Sequence, residues 1–93
     1  MANEAEISGS IVKAFCVAHD AFLNDQQIEP HEKNIENYSV SFEEDKNSYT
    51  IYLRPHLGPT EKPHPGGSTE LGKEVSYKIS KRTFDVLERF FYR

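Results

Sequence analysis

The apolar residues of this chain change period once, and that change does most to limit the fold. Up to Phe22 they recur at steps of three and four, so Ile7, Ile11, Ala14, Phe15, Ala18, Ala21 and Phe22 share one face of a helix. From Tyr38 onward they alternate. Tyr38, Val40 and Phe42 are interleaved with serines, Tyr49, Ile51 and Leu53 with Thr50 and Tyr52, and Val75, Tyr77 and Ile79 with Ser76 and Lys78. One helical stripe followed by half-buried strands predicts a two-layer α+β domain, with an N-terminal amphipathic helix on a four-stranded antiparallel meander. Phe15 and Phe22 are expected to anchor the helix against Val40, Phe42, Ile51, Leu53, Val75 and Tyr77.

Local signals set the boundaries. Asn3 and Glu6 have the spacing of a capping pair and predict a helix over 4–24, although Gly9 weakens its first turn and the Asn24-Asp25 pair ends it. Residues 25–37 read as a polar connector with a helical turn after Pro30. Strands are expected over about 38–43, 48–54, 74–80 and 85–92, the first two joined as a hairpin through the polar turn 43–47. The last segment is two-sided. Phe84, Leu87 and Phe91 would suit a helix capped by Thr83, and the run 86–92 suits an aromatic strand equally; the short turn 80–83 favours an antiparallel strand. Between the second and third strands, residues 55–72 hold four of the five prolines and four of the five glycines. That loop is longer than compact domains carry without a purpose or disorder.

The 93 residues suit one domain. A single cysteine, Cys16, excludes an intrachain disulfide, and its place in the helical stripe predicts a packed, unreactive thiol. No basic-then-apolar leader and no run of membrane-spanning length is seen, so a cytoplasmic protein is expected. The net charge of −4 is uneven: residues 1–47 balance at −7 and residues 48–93 at +3. An acidic chain is poorly suited to nucleic acid and better suited to a basic protein surface.

The residue types that carry chemistry are not arranged for it. His19, His31, His56 and His64 lack ligand spacing for a metal, no serine or cysteine has the setting of a nucleophile, and Gly66-Gly67 lacks the Lys and Ser/Thr of a phosphate-cradling loop. No enzyme activity and no cofactor are expected, and function is expected to lie in binding another macromolecule.

The stretch Glu74-Val75-Ser76-Tyr77-Lys78-Ile79-Ser80-Lys81-Arg82-Thr83-Phe84-Asp85-Val86-Leu87 resembles a pattern in small immunity proteins of bacterial toxin systems, of the group with NTF2-like or cystatin-like folds. Phe84 stands where that pattern has glycine. Phenylalanine rarely takes a left-handed conformation, so the turn is expected to be built differently here. The resemblance implies a protein that neutralises a cognate toxin by direct binding in the producing cell. An accessory subunit domain is the alternative, and a small-molecule pocket ranks last because one helix covers too little of a sheet. The contact surface is expected to combine the loop with the acidic segments: Glu32, Glu36, Glu43, Glu44, Asp45, His56, His64, Gly66 and Gly67, with Tyr92 and Phe90 of the last strand as the next candidates. The exposed sheet edges allow either a monomer or an edge-paired dimer.

Overall fold

The computed structural model describes residues 4–64 and 67–92. Four strands form one antiparallel sheet in chain order: β1 (Tyr38–Glu44), β2 (Ser48–Pro55), β3 (Val75–Ser80) and β4 (Val86–Phe91). One helix, α1 (Gly9–Leu23), packs across β2, β3 and β4 and leaves β1 largely uncovered. The connector 25–37 contains two short 3-10 turns, Pro30–Glu32 and Ile35–Asn37. The last segment is a strand paired with β3.

The helix begins later than its spacing predicts. Ser8 is the cap, its hydroxyl accepting from the Ile11 N–H at 3.2 Å, and residues 4–8 take no helical form. A capping serine directly before Gly9 outcompetes an extra turn that would have to pass through glycine. Asn3 lies outside the described residues. The buried stripe is also narrower than the apolar pattern: Ile11, Ala14, Ala18 and Phe22 are buried, Phe15 is half-buried and Cys16 is exposed. Cys16 is therefore not a core residue. It falls on the side of α1 that overhangs uncovered β1.

The core lies between α1 and three cross-strand rows. Val40, Leu53, Val75 and Phe91 make one row, Phe42, Ile51, Tyr77 and Arg89 the next, and Glu44, Tyr49, Ile79 and Val86 the third. Only the β2 and β3 members are fully enclosed; Val40 and Phe42 remain 44% and 38% exposed, so the expected anchoring of α1 on β1 is partial. Phe42 meets the edge of the Phe15 ring at 5.7 Å. At the far end, Phe22 packs edge-to-face on Tyr38 at 5.0 Å.

Two buried charge clusters tie the connector to the sheet. Asp25 accepts the Tyr77 hydroxyl at 2.9 Å and the Arg89 guanidinium at 3.0 Å. Burial first, and then the Asp25 carboxylate, push the Tyr77 phenol far above its usual range, so it stays a donor. Glu32 accepts the Lys73 ammonium at 2.6 Å and the Glu29 N–H at 2.9 Å. Burial alone would raise the Glu32 carboxyl, but Lys73 and the Glu29 amide outweigh it and hold the group below its ordinary value. Tyr38 completes the joint, donating to the Glu32 carbonyl and accepting from the Lys73 N–H. A Cβ at Gly72 would collide with the Tyr38 hydroxyl, so this approach of loop to sheet requires glycine.

The β3–β4 turn departs from expectation. Phe84 is left-handed, with φ 60°. The turn takes the step that glycine would take there, and it is over-determined. Phe84 N–H donates to the Ser80 carbonyl, Ser80 N–H donates to the Asp85 carbonyl, and the Ser80 hydroxyl accepts from Arg82 and Thr83. The ring is half-buried against the core, with the Lys13 ammonium 4.4 Å above it.

Candidate functional site: the helix-free face of the sheet

The strand alternation that sends apolar residues to α1 sends a second set to the opposite face, which no helix or strand among the described residues covers. Ser41, Tyr52, Ser76 and Phe90 form its central row, with Glu43, Thr50, Lys78 and Glu88 on one side. On the other side lie Ser39 and Arg54, the Arg54 guanidinium 3.5 Å from Glu74, and Tyr92. Three aromatics gather at the β4 end. Phe90 meets Tyr92 at 4.8 Å and Tyr92 meets Tyr52 at 6.2 Å. Ser76 lies in the row between Tyr52 and Phe90, nearly enclosed, its hydroxyl 3.1 Å from that of Tyr92. Phe90 itself is 60% exposed. Burial, then the Glu43 charge and the neighbouring Tyr92, push the Tyr52 phenol above its usual range. A firm aromatic cluster bordered by hydroxyls and opposite charges can bury a large area at little cost in side-chain ordering.

The residues singled out in the sequence are distributed around this face. Glu43 and Tyr92 are on it. His56 flanks it through the bond from its Nε2 to the Ser39 hydroxyl at 3.0 Å. Glu44 points to the helix side and is paired with Lys81 at 2.6 Å. Asp45 shapes the β1–β2 turn: it accepts the Asn47 and Ser48 amides and the Ser48 hydroxyl, and these bonds, the Asn47 amide first, hold its carboxyl below its usual value. Glu36 is exposed just before β1. Glu32 turns inward to Lys73 and away from the surface. Gly66 lies outside the described residues. Tyr52 and Ser76 were not singled out; their signal was a large aromatic in a polar-phase position of β2 and the register that carries it through Ser76 to Phe90.

The described residues of the long loop are hydrogen-bonded to nearby acids. Glu61 accepts the Gly58 and Glu70 amides at 2.7 and 2.6 Å and bonds His64 at 3.0 Å. The Gly58 amide foremost, with the Glu70 amide and His64, outweighs desolvation and holds the Glu61 carboxyl below its ordinary value. Gly67, at φ 78°, donates its buried N–H to Glu74 at 2.8 Å, and Thr69 donates to the His56 carbonyl at 2.7 Å. Gly67 thus ties the loop to Glu74, which also pairs with Arg54.

On the other side of the sheet, the gap between α1 and β1 is an open apolar groove of about 370 Å³, lined by Phe15, Cys16, His19, Ile35, Val40 and Leu53 among others. Among the described residues, no cluster of three or more His, Cys, Asp or Glu could hold a metal ion, and no helix is long and apolar enough to cross a membrane. Comparison with protein-family models, with curated proteins and with solved structures returns no match.

Proposed function

We propose that this chain is a protein-binding domain that neutralises a toxin domain of the cell that makes it, and that it does so through the helix-free face. The observation that carries this reading is the Tyr52–Tyr92–Phe90 cluster, half-buried at the two tyrosines and 60% exposed at Phe90, in the row that Ser41 and Ser76 share. Clusters of this kind supply the few residues that dominate binding energy. The alternating charges Glu43, Lys78 and Glu88 beside it fix orientation, and Glu43 favours a partner presenting a base there. The likeness of residues 74–87 to immunity proteins supports the toxin as the partner, and the left-handed Phe84 keeps the turn geometry that the glycine of that pattern would give. The test is to express the product of the reading frame directly upstream, with and without this chain. The expected result is a growth arrest relieved by the chain and a stable complex. Phe90→Ala with Tyr92→Ala should weaken that complex by roughly 30-fold or more while leaving the fold intact. An upstream product that is harmless, or a complex indifferent to both substitutions, would defeat the reading.

A further inference from the structure

At one end of the sheet the β1–β2 and β3–β4 turns lie side by side, tied by the Lys81 N–H, which donates to the Asn47 carbonyl at 3.0 Å. Between them is an open hollow of about 490 Å³, lined by Lys46, Asn47, Ser80, Lys81, Arg82 and Leu87. The register shift at Lys78/Ile79 leaves Leu87 opposite no residue of β3, and its side chain supplies the apolar part of the wall. Three of the six lining residues are cations and none is a carboxylate, in a chain whose 15 acids outnumber its 11 bases. The acids around the first turn are engaged elsewhere. Asp45 accepts the Asn47 and Ser48 amides and the Ser48 hydroxyl, and Glu44 takes the Lys81 ammonium at 2.6 Å. Asp85, on the second turn, does not line the hollow. Lys46 and Arg82 pair with no carboxylate among the described residues. The Ser80 hydroxyl accepts the Arg82 and Thr83 amides at 3.1 and 3.2 Å, which leaves its own proton to donate.

We infer that this hollow is a binding site for a multiply charged phosphate anion of the diphosphate class. Lys46 and Asn47 line it from one turn, and Ser80, Lys81 and Arg82 from the other. Lys81 is balanced by Glu44, so Lys46 and Arg82 supply the uncompensated charge. The Arg82 guanidinium is a planar fork that matches a pair of phosphate oxygens, and the Lys46 ammonium is a mobile point charge. The Asn47 amide and the Ser80 hydroxyl add neutral donors. A carboxylate holds one charge and its oxygens lie in one plane, which suits a single fork. A phosphate group carries up to about two charges on three acceptor oxygens and can take donors arriving from two sides. A concave site lined by one sign of charge also concentrates the field and draws such an ion from solution. None of Tyr52, Phe90 and Tyr92 lines the hollow, so this site does not depend on the proposed function.

The test is an NMR titration of the whole chain with sodium diphosphate, followed at the backbone amides and with ionic strength held constant by sodium chloride. The expected result is a saturable set of shifts confined to the two turns and Leu87, with a dissociation constant below about 1 mM. Lys46→Gln and Arg82→Gln should each weaken binding about tenfold. Both side chains are exposed, and unchanged amide positions away from the turns would show that the variants remain folded. Lys62→Gln removes the same charge from an exposed loop position and should leave the affinity as it is. Shifts that fail to saturate overturn the inference. So does an affinity that Lys62→Gln lowers as much as Arg82→Gln, because the attraction would then belong to net charge and not to the hollow. An oligoglutamate peptide that displaces diphosphate at equal concentration overturns the ligand class and assigns the hollow to an acidic segment of a protein.

Discussion

Phe22 and Phe15 share a helical face in the sequence and part company in the structure, because burial depends on what lies beneath the helix. Phe22 is 0% exposed over Tyr38, whereas Phe15 overhangs the groove and meets Phe42 at its edge. Phe22→Ala should cost roughly 3–5 kcal/mol, a large share of a small domain's stability. Phe15→Ala should cost about 1–2 kcal/mol, since only part of its ring leaves water. Urea melts of the two variants distinguish this from the equal anchoring that periodicity alone predicts. The same reasoning accounts for Cys16: periodicity fixes which side of a helix is apolar, but the width of the buried stripe is set by the strands beneath it.

At the scale of elements, the four strands, their order and the turn after Pro30 were legible, because alternation and turn chemistry act locally. The hydrogen bonds of the loop's described residues were not. Glu61, Glu74 and Glu32 look in sequence like solvated acids, and only long-range geometry makes them acceptors for Gly58, Glu70, Gly67 and Lys73. The candidate face was half legible: Tyr92 and Phe90 were visible as aromatics of the last strand and Glu43 as an acid of the β1–β2 turn, but their convergence with Tyr52 depends on register. The Glu32–Lys73 joint predicts a pH dependence. The Glu32 carboxyl is held below its ordinary value of 4.5, so its stabilising share is fully present above about that pH and fades as pH falls through the lower folded-state value. Lys73→Met should therefore destabilise by about 1–3 kcal/mol at neutral pH. That difference should shrink on acidification below pH 4.5, read by urea denaturation across the series. A difference that grows on acidification would mean the ion pair is not its source.

For the whole molecule, one helix on four strands leaves two surfaces without a layer, and the two differ in chemistry. The helix-free face offers aromatics and hydroxyls; the β1 edge offers backbone groups beside an apolar groove. If partner binding uses the helix-free face alone, a toxin complex should weigh out as one copy of each chain in light scattering, and Val40→Lys on the β1 edge should leave it intact. A complex lost in Val40→Lys would mean that the β1 edge takes part in the contact. The register shift between β3 and β4 acquires a further meaning here. A sheet that could add strands at both ends would be open to polymerisation, and the shift, with Glu88 and Arg89, interrupts the regular ladder at the β4 end. The irregularity in β4 is thus a terminator of the sheet, a place where the chain makes itself a poor template for another strand.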